Sequence, residues 1–91
     1  MKVVVIDDDS EQRTNIRNSL ISEGYEVLEA ENGAIGLDLI QQENPDLILC
    51  DIRMPKMNGD ELLETIRNSD NEMGIIPFIF ISGYADAQEK I

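Results

Sequence analysis

Ninety-one residues make one small domain, and a chain this short buries too little surface to tolerate many missing elements. Nineteen acidic residues against seven basic ones leave a net charge of −12, which argues against a nucleic-acid or anionic-membrane surface, while a hydrophobic share of 42% argues for a core rather than disorder. The chain has no histidine, so it lacks the commonest metal ligand and general base, and its single cysteine, Cys50, excludes an internal disulfide and fits a reducing cytoplasm.

Lys2 to Ile6 is apolar and β-branched after its lysine, which predicts a strand buried on both faces. No signal peptide precedes it, and nowhere does the chain hold the roughly 20 apolar residues of a membrane-spanning helix. The strand closes in Asp7-Asp8-Asp9. Asp9 or Ser10 can cap a helix, and Asp9 with Gln12 has capping-box spacing. That helix turns Ile16, Leu20 and Ile21 inward and stops at Gly24. Residues 25–30 set Val27 and Leu28 between glutamates, a less buried strand. A second amphipathic helix enters through Asn32-Gly33 and carries Ala34, Ile35, Leu37, Leu39 and Ile40. Asn44-Pro45 ends it and starts a second buried strand over 46–50, which ends at Asp51. Asn58 caps a third helix with Leu62, Leu63 and Ile66 inward. Residues 68–74 form a polar loop. Residues 75–81, with Ile75 and Ile81 at the ends, are the most apolar strand, and Pro77 within it removes one ladder donor. Residues 83–91 begin a fourth helix.

Alternating strands and helices, with strands apolar on both sides, predict an α/β fold with a parallel sheet. Right-handed crossovers and a reversal of winding direction put a crevice at the carboxyl ends of the first and third strands. Asp7-Asp8-Asp9 and Asp51 stand there. Carboxylates held together repel, so they need a cation or a raised pKa. A hard divalent cation such as Mg²⁺ takes oxygen ligands of this kind and keeps positions for water and phosphate.

The pair Asp7-Asp8, Asp51 after the third strand, Met54-Pro55 with Gly59 following, and Ser82-Gly83 after the fourth strand stand in order on these elements. Together they resemble the response-regulator receiver domain of two-component signalling, chemotaxis-regulator-like, over residues 1–91. The resemblance implies a flavodoxin-like sheet of order 2-1-3-4 and makes Asp51 the phosphoacceptor, charged by a histidine kinase or phosphotransfer protein. It implies Mg²⁺ held by Asp8, Asp51 and the backbone carbonyl of Arg53, with Asp7 taking part directly or through water. Ser82 takes the position whose hydroxyl contacts the phosphoryl group and shifts with it. Such a domain is a cytoplasmic signalling phosphoacceptor rather than an enzyme, and this one is expected to bind neither nucleic acid nor membrane.

A receiver normally continues into a fifth strand and a fifth helix, with a Lys that contacts the phosphoryl group and an aromatic switch residue. Neither Lys90 nor Tyr84 stands at those places. The chain is therefore expected to be an incomplete receiver, a poorer acceptor alone, and prone to form a homodimer or exchanged assembly through residues 75–81. Two other readings stand beside this one. A degenerate receiver would bind partners without phosphorylation, but Asp7, Asp8, Asp51 and Ser82 are all in place. A Mg²⁺-dependent phosphatase with an aspartyl nucleophile would want a second acid two residues on, where Arg53 stands.

Overall fold

Val3, Val4, Val5 and Ile6 are completely buried, as an apolar β-branched run must be in a sheet covered on both faces. They belong to β1 (Lys2–Ile6), followed by α1 (Ser10–Ser22), β2 (Glu26–Ala30), α2 (Gly33–Glu43), β3 (Leu47–Asp51), α3 (Gly59–Arg67), a 3₁₀ turn (Glu72–Ile75) and β4 (Phe78–Ile81). The computed structural model describes residues 1–52, 58–69 and 72–81. The four strands form a parallel sheet in the order β2-β1-β3-β4, the flavodoxin-like arrangement expected from the sequence. Winding reverses between β1 and β3, so their carboxyl ends open a crevice.

The helix boundaries are set by short polar side chains. Asp9 accepts the backbone N–H groups of Glu11 and Gln12, and thereby caps α1. Asn32 accepts from Ile35 at the start of α2, and Asn58 from Glu61 at the start of α3. At the far end of α1, Gly24 adopts φ +91°; its N–H reaches Ile21 O, and the Tyr25 N–H reaches Leu20 O. This pair of bonds is a Schellman closure, and it aims the chain directly into β2.

The main core lies on the α2/α3 face. Val4, Ile6, Ala30, Ile40, Ile48, Cys50, Leu62, Ile66 and Ile76 form one buried cluster, with Leu28, Leu37, Leu39 and Phe78 packed against it. Strand alternation sends Val3 and Val5 to the opposite face, toward α1. Several expected core positions are corrected here. Ile21 and Ile35 are exposed, at 45% and 39%, and Ala34 is exposed as well. Leu63 is only half-buried.

In α2 the buried stripe runs through Gly33, Gly36 and Ile40 instead. A Cβ at Gly36 would collide with the Ile6 Cδ1 methyl, and it would come within 2.9 Å of Cγ1. The missing side chain is what lets α2 close on β1. Gly36→Ala should therefore cost about 1–2 kcal/mol net of its helix-propensity gain. Ile6→Val in the same chain removes the colliding methyl and should recover part of that loss. Urea denaturation of the two single variants and the double variant measures this coupling, and strict additivity would exclude the contact.

The polar loop expected over 68–74 contains the start of the 3₁₀ turn, and β4 is shorter than the predicted 75–81. Ile75 belongs to the turn and is 82% exposed. Pro77 precedes the strand rather than interrupting it, and its carbonyl accepts from Ile48 N–H. Arg67 Nη1 donates to Gly74 O and Ile76 O, fixing the approach to β4. Register aligns Glu29, Val5, Leu49 and Ile79 across the α1 face. Along this row cover thins from buried Val5 through half-buried Leu49 to Ile79, which is 50% exposed. The fourth helix expected over 83–91 lies outside the described residues.

Candidate functional site

Because β1 and β3 are neighbours with Ile6 opposite Cys50, the next residue on each strand, Asp7 and Asp51, emerges at the same level of the crevice. Ligand oxygens of Asp7, Asp8 and Asp51 all lie within 4.8 Å of one another. Asp7 is completely buried, Asp51 is 8% exposed, and Asp8 faces solvent. The juxtaposition expected from the two acidic strand ends is thus present in the fold.

Asp7 is held at three points. Its N–H donates to Ala30 O at 3.0 Å, its carbonyl accepts from Arg13 Nη1 at 2.6 Å, and its Oδ1 accepts the Asp9 N–H at 2.9 Å. The second oxygen, Oδ2, is buried without a hydrogen-bond partner. Burial pushes the Asp7 carboxyl up to about 6; the Asp9 N–H bond opposes this, and the charges of Asp51, Asp8 and Asp9 add to it. A buried carboxylate oxygen without a donor, beside two further carboxylates, is a site short of positive charge. The donor set is entirely oxygen. It fits a hard divalent cation and leaves room for solvent on the Asp8 side.

Asp51 is the last residue of β3, and α3 begins hard against it. A Cβ on Gly59 would sit 2.7 Å from Asp51 O and 2.8 Å from Phe80 Cε1, so only glycine permits this approach. The Gly59 N–H donates to Ile52 O, which ties the start of α3 to the end of β3. Cys50 precedes Asp51 but faces the core, with its thiol donating to Asp51 O at 3.2 Å. Burial first, and then the Asp51 and Asp7 charges, push that thiol up to about 12, so it stays protonated and unreactive.

Of the other residues proposed from the sequence, Arg53 and Ser82 lie outside the described residues, as do Met54 and Pro55. Arg13 was not anticipated. Its guanidinium reaches the Asp7 carbonyl and, through Nε, Glu29 Oε1 at 3.2 Å. The sequence signal, a weak one, was its place four residues after the capping Asp9; in the structure its own N–H bonds Asp9 O. Arg13, Glu29, Ala30, Glu31 and Ile35 line an open, shallow cleft.

Residues 3–91 match the family model described as response regulator receiver domain. Over 82 residues the chain is 39% identical to the CAI-1 autoinducer sensor kinase/phosphatase CqsS of Vibrio cholerae, covering 90% of this chain and 12% of that protein. It is 34% identical over 76 residues to the response regulator MprA of Mycobacterium avium, covering 84% of this chain and 33% of that protein. The chain thus spans a third or less of these relatives. Among solved structures, the N-terminal domain of a response regulator receiver protein from Methanoculleus marisnigri superposes with a TM-score of 0.84 at 29% identity, over 97% of this chain and 74% of that one. A Francisella response regulator receiver domain gives 0.82 at 30% identity, over 98% of this chain and 71% of that one.

Proposed function

Because the chain belongs to the response regulator receiver family, we propose that residues 1–91 act as one receiver unit that accepts a phosphoryl group on Asp51 in the presence of Mg²⁺. The observation that supports this most is the trio Asp7, Asp8 and Asp51, with a buried, unpartnered Asp7 Oδ2 among them. Asp8 and Asp51 offer oxygens to the ion, together with the Arg53 carbonyl, and Asp7 joins them directly or through water. When bound, Mg²⁺ supplies positive charge to the phosphoryl oxygens and neutralises the crowded carboxylates. One Asp51 oxygen attacks phosphorus, the bond from phosphorus to the donor nitrogen breaks, and the departing imidazole keeps that electron pair. The Ser82 hydroxyl donates to a phosphoryl oxygen.

Family membership points to a histidine kinase or phosphotransfer protein as the donor, and these 91 residues contain no histidine that could serve in its place. Catalysis is confined to assisting this transfer and its reversal by water. No helix among the described residues is long and apolar enough to cross a membrane, and the unit is assigned to the cytoplasm, where such donors present their phosphohistidines. The test is Mg²⁺-dependent transfer from a small phosphodonor, with the modified residue mapped by borohydride reduction of the acyl phosphate. Modification at any other residue overturns the assignment.

Self-association is a further proposed property of this unit. Among the described residues β4 pairs only with β3, and its Ile79 is half-exposed. An apolar parallel strand with an open edge favours pairing with another chain. Light scattering at rising micromolar concentrations should show mass above that of a monomer, and Ile79→Lys should return it to monomer. A wild-type monomer throughout this range excludes association through β4.

A further inference from the structure

Asp8 is the exposed member of the carboxylate trio, and among the described residues no hydrogen bond or ion pair holds its side chain. Its position must therefore come from the backbone. The peptide unit that delivers Asp8 is the one whose carbonyl belongs to Asp7, and a planar peptide fixes the Asp8 N–H and Cα once that carbonyl is fixed. Arg13 Nη1 fixes it, at 2.6 Å.

We infer that Arg13 is the positioning residue of this carboxylate site, its guanidinium clamped between the Asp7 carbonyl and Glu29 so that the Asp7–Asp8 peptide plane presents Asp8 to the ion. The inference rests on the functional reading above and assigns a role to a residue outside the trio. The clamp is anchored at every end. Arg13 Nε is 3.2 Å from Glu29 Oε1, and the other Glu29 oxygen is 3.3 Å from Arg17 Nε. Glu29 sits in β2 opposite Val5 of β1, so its backbone is locked in the sheet. The Arg13 backbone is locked in turn by its bond to Asp9 O. A planar guanidinium can serve a carbonyl and a carboxylate at once with two separate N–H groups, and a lysine ammonium on a flexible stem cannot hold the same bridge as rigidly.

Charge and position predict opposite signs. A guanidinium this near a cation site repels the cation, so through-space charge alone predicts tighter Mg²⁺ binding when Arg13 is neutralised. Positioning predicts weaker binding, because partners that orient metal ligands typically contribute about 10-fold or more to affinity. A purely structural role would lower the unfolding midpoint and leave the affinity of the folded protein unchanged.

The experiment is a Mg²⁺ titration followed by backbone amide shifts on the 91-residue chain, at a temperature where each variant is folded. In Arg13→Met, which keeps an apolar stem, the dissociation constant should rise about 10-fold, with the Asp8 and Asp9 amides displaced before any ion is added. Arg13→Lys should fall between Arg13→Met and wild type. Wild-type or tighter affinity in Arg13→Met overturns the inference; if that variant does not fold, wild-type affinity in Arg13→Lys overturns it. Asp8→Ala in the same titration separates the two levels of the argument. Unweakened binding in Asp8→Ala removes the carboxylate-site reading itself, whereas weakened binding there with wild-type affinity in the Arg13 variants removes only the positioning role.

Discussion

Asp51→Asn should bring Mg²⁺-dependent phosphoryl incorporation down to background while leaving the fold intact. The amide has no anionic oxygen with which to attack phosphorus, and no neighbour can take over the geometry. Asp7 has one oxygen committed to the Asp9 N–H and is completely buried, and Asp8 projects toward solvent from an adjoining loop position. Asn fills nearly the same volume as Asp, so the close approach of Gly59 to the Asp51 carbonyl is retained. Intact mass after incubation with a small phosphodonor, with and without chelator, reads the result. Incorporation that survives in Asp51→Asn would place the acceptor elsewhere.

Asp7→Asn should act in the other direction and stabilise the ion-free protein, by up to about 3 kcal/mol at neutral pH. Folding raises the Asp7 carboxyl from 3.8 to about 6, chiefly by burial. A carboxyl raised in this way binds its proton more tightly in the folded state than in the unfolded one. Its contribution to stability is greatest at acid pH and falls as pH rises from about 4 through about 6, the reverse of an ion-paired carboxylate. A difference of roughly two pKa units corresponds to about 3 kcal/mol, as an order of magnitude. The amide removes this cost at every pH and can still accept the Asp9 N–H. Urea denaturation with Mg²⁺ chelated should therefore show wild type and Asp7→Asn converging near pH 4 and separating toward pH 7. Saturating Mg²⁺ should narrow the gap by stabilising wild type more than Asp7→Asn, which keeps Asp8 and Asp51 but loses one carboxylate. A gap that does not depend on pH would mean that Asp7 is not strained by ionisation in the fold.

The parts of this outcome that were legible in the sequence are those written in local chemistry. A run such as Val3-Val4-Val5-Ile6 can only be a two-sided strand, and Asp9, Asn32 and Asn58 mark helix starts because their side chains accept backbone N–H groups. Acidic residues closing two such strands, Asp7-Asp8-Asp9 and Asp51, already implied one crevice. Features that depend on what packs opposite were not legible. Ala34 and Ile35 look like core residues on a helical wheel, yet α2 is rotated so that Gly36 meets Ile6. Only the tertiary approach of helix to strand makes a glycine the preferred core residue there. Pro77 lies just outside β4 because the 3₁₀ turn, pinned by Arg67, absorbs the residues before it. Arg13 escaped notice for a similar reason, since an arginine on a surface helix is ordinarily a solvated charge.

The helix that carries Arg13 has a further consequence for the molecule. Helix α3 buries Leu62 and Ile66 completely, whereas α1 has no fully buried residue. Its attachment leans on the Asp9 cap, the closure at Gly24 and the pairs that Arg13 and Arg17 make with Glu29. Screening does not weaken apolar burial, but partly exposed ion pairs are screened over a Debye length of about 8 Å at physiological ionic strength and over a shorter length at higher concentration. The α2/α3 face is held mainly by apolar burial, with one partly exposed pair from Lys2 to Glu43, so α1 is the element whose grip should loosen most as ionic strength rises. Through Arg13 that loosening reaches the Asp7–Asp8 peptide, so the medium around the protein has a route to the acidic crevice that does not pass through the ion or the phosphoryl donor.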